Sequence, residues 1–467
     1  MSSTSAHRLV PALMLLASVG LASCELLGDT SLPDYAAIGD ISYVRHVQVL
    51  FEDRCVACHD GSGAELDLRS WDGLLEGSSA GGALVPFDAE RSRMVRMLST
   101  RQEAAHPSEV GAEVIPEVEI DFLRRWIDAG ARDDNGVVPY SGSQDQVLVS
   151  MADPALVAVV DPTNMVVARI IDFEQLGFSA SSRPASLASS GNANAWFVSL
   201  EGENAVLRFD ADHALTGLAE VPEPGSVAAS GNGDWLVVGR KLSQIARPIH
   251  TVETIDMRVR PIDMVFPETV AAAVRPHGDY GFTVSESADQ IAVFPIEGGQ
   301  ATYFGIFGPR HRVTQLLTSA DGAVMVAIGS TSGEATLFDI SSPTQIAQTG
   351  TIMLGSGLRG VDLGANGVLA LVTDAGGVHL AAMESGASVR HIADVADAVG
   401  VAHAGDKILV ARGNDSRTYQ RIQRFTDLPA PGVVVVIDAA TGVVLREIEI
   451  EAAPTAMTRL SATVPTN

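Results

Sequence analysis

From about residue 145 the chain repeats itself, and that repeat limits the fold more than any other feature. PASLASSGNANAWFVSLEGENAVLRFD begins at Pro184, and PGSVAASGNGDWLVVGRKLSQI at Pro224. TVAAAVRPHGDYGFTVSESADQIAVF begins at Thr269, and RVTQLLTSADGAVMVAIGSTSGEATLFD at Arg312. LRGVDLGANGVLALVTDAGGVHLAAM begins at Leu358, and DAVGVAHAGDKILVARGNDS at Asp397. Each reads as an apolar strand, a tight Gly-containing turn, a second apolar strand, a polar loop and a third strand. Successive starts lie about 40 to 45 residues apart, and a longer interval follows the last of them before the next such run, at Pro454. That period, at four strands per unit, predicts a β-propeller. Six units carry their own inner strand. QVLVSM, LVAVVD and MVVARII, between 146 and 171, supply three strands of a seventh unit that lacks one. The isolated run PTAMTRL, Pro454 to Leu460, fits the missing inner strand. Both ends of the repeat region would then share one blade, leaving no free sheet edge. Seven blades are predicted, with eight as the alternative.

The N-terminal part is different in kind. MSSTSAHRLVPALMLLASVGLASCELLGD has a weakly basic start, an apolar run from Leu9 to Val19 too short to span a bilayer, and then small residues up to a cysteine. This is the layout of an export signal rather than of a transmembrane helix. Leu21-Ala22-Ser23-Cys24 resembles the lipobox of bacterial lipoproteins. The resemblance implies cleavage before Cys24 and acylation of that residue. With Glu25 behind it, it further implies an exported lipoprotein of the outer membrane, on the periplasmic side or at the cell surface. No other segment is apolar for long enough to cross a membrane.

Only three cysteines occur. With Cys24 assigned to lipid, Cys55 and Cys58 remain, in the string CVACH. A CxxC in an exported chain suits a redox disulfide, half a zinc site or a c-type haem. Zinc needs four ligands and there is no second cysteine pair. A thioredoxin-like motif belongs in a βαβ setting that these flanks lack. The histidine directly after Cys58 fits haem c: Cys55 and Cys58 as thioethers, His59 as proximal iron ligand, one haem in all.

The flanks VQVLFEDRCVACHD, LDLRSWDGLLEGSSAGGALVPFDAERSRMVRML and IDFLRRWIDAGA resemble the planctomycete-type cytochrome c domain over residues 40 to 135. The resemblance implies a small all-α domain and a methionine as sixth ligand, within a Met-Pro-Pro string between the last two helices. This chain departs from that pattern and reads Glu103-Ala104-Ala105-His106-Pro107 there. His106 is therefore the expected distal ligand, with Met97 as the alternative. Met94 and Met97 stand at helical core spacing, where methionine is ordinarily packing. Phe51, Leu68 and Trp126 read as wall of the haem pocket.

These readings give a multidomain chain. It has a signal peptide at 1–23, a tether at 24–39, the cytochrome domain at 40–135, a linker at 136–145 and an all-β propeller at 146–460. The runs VAVVDPTNMVVARI and VVVVIDAATGVVLREI resemble YVTN or surface-layer-type repeats, which are seven-bladed. The linker ARDDNGVVPYSGSQDQ, polar with two glycines, suggests a separate, tethered domain. The formal charge is −26, and residues 1–23 contain one arginine and no acid, so their removal makes it more negative. Such a chain is unsuited to nucleic acid or an anionic membrane surface and suited to a basic redox partner.

Basic residues nevertheless gather in loops of one propeller face. Arg240 and Lys241, Arg310 and Arg312, Arg359, Arg412, Arg417, Arg421 and Arg424 precede inner strands or follow second strands. They predict a basic funnel mouth, with Arg310, His311, Arg312, Arg359 and Arg412 as ligand contacts for an anion or for the haem domain. The haem-d nitrite reductases pair a c-haem domain with an eight-bladed propeller, but they need propeller histidines around a second haem. Here only His311 faces the funnel. Quinoprotein dehydrogenases need repeated tryptophan motifs, whereas Trp196 and Trp235 are single strand residues. The reading is an electron-transfer protein with a binding propeller. The alternative is an oxidoreductase acting on a small anion at the funnel.

Overall fold

The computed structural model describes residues 32–460 apart from 63–65, 80, 99–113, 144, 241–248, 263–268, 285–289, 297–304, 310, 356, 365, 384–388 and 414–430. Seven four-stranded antiparallel sheets form seven blades. Blades 2 to 7 each run in sequence from an inner strand: Pro184–Ser189, Pro224–Ala229, Ala271–Val274, Gln315–Thr318, Leu358–Leu363 and Ala398–Ala404. Blade 1 takes Gln146–Met151, Leu156–Asp161 and Val166–Asp172 from the start of the ring and Pro454–Leu460 as its inner strand. Gln146 pairs with Leu460 and Val149 with Met457. The expected seven blades and the closure by PTAMTRL are what the structure has.

The second strands show why the repeat folds this way. Ala195–Leu200 (AWFVSL) is buried at every position, because a propeller blade packs against a neighbour on both faces. Seven apolar clusters form, one between each successive pair of blades; that between blades 7 and 1 joins Val434 and Ile448 to Val149 and Leu156. The turns after the inner strands use one device repeatedly. Ser190, Ser230 and Ser319 accept hydrogen bonds on Oγ from the backbone N–H of Ala195, Trp235 and Val324, at 2.9 to 3.1 Å. In blade 2, Trp196 stacks on Phe209 at 4.2 Å and donates from Nε1 to His213 Nδ1 at 3.1 Å. Burial pushes His213 down to about 4, so it accepts that bond as neutral imidazole.

The N-terminal part is helical, with α1 at Gln48–Arg54, α2 at Trp71–Glu76, α3 at Arg93–Leu98 and α4 at Glu117–Asp128. Ser70 caps α2, accepting from Gly73 N–H at 3.1 Å. Glu117 and Glu119 sit in the first turn of α4 and Arg125 in its last, in keeping with the helix dipole. Ile120, Leu123 and Ile127, with Phe122 and Trp126, make its buried face. The packed region starts before residue 40. Tyr35 lies 4.8 Å from Phe122, and its carbonyl accepts from Arg125 at 2.6 Å.

The helical part is not merely tethered to the propeller. Tyr140, in the middle of the polar linker, is 6% exposed and packs on Val166 and Ala168 of blade 1 and on Leu75. Its hydroxyl donates to the Leu75 carbonyl at 3.2 Å. Arg169 lies 3.7 Å from the Phe87 ring centroid. Arg91 pairs with Asp172 at 2.8 Å, Arg93 with Glu449 at 3.2 Å and Arg96 with Glu451 at 2.8 Å. The helical part therefore sits on the outer rim, across blades 7 and 1. It presents arginines to propeller carboxylates, the reverse of the charge pattern that the loop arginines suggested.

Candidate functional site

The CVACH string closes the end of α1. Cys55 N–H donates to the Phe51 carbonyl at 2.8 Å, and the bonds Cys58 N–H to Cys55 O (3.1 Å) and His59 N–H to Cys55 O (2.9 Å) carry one more helical turn past the helix. The chain then reverses, with Leu68 N–H donating to the His59 carbonyl at 2.9 Å. Both cysteines are free thiols: Cys55 half-buried, Cys58 exposed. Burial, and secondarily the Glu119 carboxylate, pushes the Cys55 thiol up to about 12, so it stays protonated at neutral pH.

An aromatic cluster stands behind the turn. Trp126 lies 5.9 Å from Tyr43, 6.4 Å from Phe51 and 6.4 Å from Trp71, mostly edge-on, and its Nε1 donates to the Arg132 carbonyl at 3.0 Å. Phe51, Leu68 and Trp126 are all buried. Two reduced thiols on one turn with an imidazole directly after them fit haem c: Cys55 and Cys58 would hold it and His59 would ligate its iron. His106 and the lipobox residue Cys24 lie outside the described residues. Of Met94 and Met97, both expected to be packing, Met97 stands out from the helix. On the six-residue α3 only Val95 and Leu98 are buried, Met94 is half-buried and Met97 is 40% exposed.

The basic funnel mouth does not assemble among the described residues. Arg412 turns outward to Glu447, at 3.0 Å, on the outermost strand of its blade. Arg240 is buried against Glu223 at 3.1 Å. His311 is 6% exposed, with Nε2 2.9 Å from Thr336 Oγ1, so it packs inside a blade. Arg359 is exposed, and Arg310, Lys241, Arg417, Arg421 and Arg424 lie outside the described residues. Position in the repeat fixes the face but not the direction of a long side chain, and Arg240 and Arg412, at the ends of second strands, pair with the carboxylates of Glu223 and Glu447.

A cavity of about 630 Å³ does run along the axis, lined by inner strands and by the turns that follow them. Its charged side chains are Arg459, Asp362 and Asp321. Asp362 and Arg459 come from blades 6 and 1, and His403 of blade 7 lies behind them. Asp362 accepts from the His403 backbone N–H at 2.7 Å, with His403 Nδ1 at 3.3 Å and Arg459 Nε at 4.0 Å. Burial works against the Asp362 charge, but Arg459 and His403 hold its carboxyl below the usual range. Sequence reading passed over this trio, because pairing across three blades leaves no mark in the local pattern.

Residues 55–105 match the family described as Planctomycete cytochrome C. The chain thus carries a planctomycete-type cytochrome c domain, a haem-binding redox unit, ahead of a seven-bladed β-propeller. No curated protein matches the chain. Among solved structures it is similar to Kuenenia stuttgartiensis Hydrazine Synthase, with 17% identity and a TM-score of 0.42 over 55% of this chain and 76% of that one. That likeness assigns no residue a role.

Proposed function

We propose that the protein is a one-haem electron carrier, held at the outer membrane by lipid on Cys24, whose propeller serves as a binding or docking module. The observation behind this reading is the turn at 55–59, with two free thiols and His59 inside the segment that matches a cytochrome c family. Haem c, when bound, supplies a one-electron iron couple. The chain's own residues fix where that couple sits. Cys55 and Cys58 hold the group at the end of α1, and Trp126, Tyr43 and Phe51 keep water from its inner side. His106 is the proposed sixth ligand. With a formal charge of −26, a basic redox protein is the proposed partner.

Spectroelectrochemistry of the purified full chain tests this. A single one-electron wave is expected, and a chain with no wave, or with several, is not a one-haem carrier. His106→Met should raise the midpoint, because thioether donates less strongly than imidazole and favours ferrous iron. An unmoved midpoint takes His106 off the iron. Anchoring has its own test. Cys24→Ala should move the protein from the detergent phase to the aqueous phase of a phase-separating extraction, and a wild type already aqueous would refute the lipid.

A further inference from the structure

An ion pair lies inside the helical part, directly behind the haem-attachment turn. Arg54, the last residue of α1, precedes Cys55 in sequence. It donates from Nε to Glu119 Oε2 and from a terminal nitrogen to Oε1, each at 3.0 Å, fork to fork. The Glu119 side chain is 6% exposed and that of Arg54 18%. Among the described residues, Asp53 also places a carboxylate beside Arg54, at 3.3 Å and 44% exposed, where solvent weakens it. Taking the pair out of water is costly, and two apolar side chains of equal volume would join α1 to α4 without that cost.

We propose that Arg54 and Glu119 set the reduction potential of the haem: Glu119 places negative charge beside Cys55 and favours the ferric state, and Arg54 limits that bias. The inference rests on residues 55–59 being the haem-attachment site. The reaction it concerns takes up one electron from an electrode, makes or breaks no bond and moves no proton. The charge at the iron falls by one, so a neighbouring carboxylate in a medium of low dielectric opposes reduction and a guanidinium assists it.

The test is potentiometric titration of the haem-loaded full chain. Glu119→Gln should raise the midpoint and Arg54→Gln lower it, with the double variant between them. At the wild-type midpoint, the ferrous-to-ferric ratio should differ about tenfold between the two single variants, which is about 59 mV for a one-electron couple. If either single variant fails to take up haem, the swap Arg54→Glu with Glu119→Arg keeps the pair and exchanges the places of the two charges behind Cys55, so its midpoint should move from that of wild type. Single variants that titrate with the wild type, or that shift in the same direction, would overturn the inference, as would a swap whose midpoint stays put. Wild type without covalent haem overturns the attachment reading and this inference with it. Bound haem with coincident midpoints overturns this inference alone.

Discussion

Alanine at both Cys55 and Cys58 is expected to leave no covalently bound haem, whereas wild type should keep its haem through denaturation and acid–acetone extraction and give a c-type pyridine haemochrome. Each attachment adds a thiol across a vinyl group: sulfur bonds one carbon and the hydrogen goes to the other. Both thiols are free for this, and Cys55 is held in the protonated form by burial and by Glu119. The single variants should keep one thioether each. His59→Ala should keep both thioethers and lose the proximal ligand, with a changed spectrum on an unchanged covalent yield. The propeller gives the control, since its seven apolar clusters contain no residue of 55–59, so its far-ultraviolet signal should not move. Haem that washes out of the denatured wild type would end the haem c reading.

Truncation before Pro454 should abolish cooperative folding of the propeller. The deleted strand pairs along the whole of Gln146–Met151. It also bonds to blade 2, where Ser189 Oγ donates to the Arg459 carbonyl at 2.6 Å and Thr455 Oγ1 to the Pro184 carbonyl at 3.2 Å. Without it, the inner edge of 146–151 faces the axis unpaired, the inner strand of blade 7 loses one neighbour, and the buried Leu460 is gone. A buried polar group left unmade costs about 1 to 3 kcal/mol. Several at once match the whole stability of an ordinary domain, on the order of 5 to 15 kcal/mol. A truncated chain that melts cooperatively within a few degrees of the full one would show that blade 1 closes in some other way.

How far the sequence could be read depended on whether a feature was local or repeated. The blade count was legible because six units share one pattern and three spare strands at 146–171 called for a partner that only 454–460 could supply. The attachment turn was legible because its chemistry needs only five consecutive residues. Side-chain direction was not. Arg412 and Arg240 were assigned to loops but stand at the ends of second strands, where Glu447 and Glu223 pair with them. Met97 stands at core spacing on a helix of only six residues, whose buried face is used up by Val95 and Leu98. Glu119 and Arg54 are 65 positions apart, and nothing in either neighbourhood announces the other. Tyr140 looked like part of a polar tether because burial of one aromatic ring depends on the surface it meets.

The rim position of the helical part sets a distance. It touches the outermost strands of blade 1 and its neighbour, through Asp172 and Glu449, while the axial cavity is walled by the innermost ones. Three strand spacings of about 4.8 Å separate the two, so a molecule seated in the cavity stays about 14 Å or more from the described residues that touch the rim. What the arrangement permits is bivalency. A partner gripped at the axis and long enough to reach the rim would meet the redox unit at an effective concentration set by the disc's radius, with no need for strong affinity at the second contact.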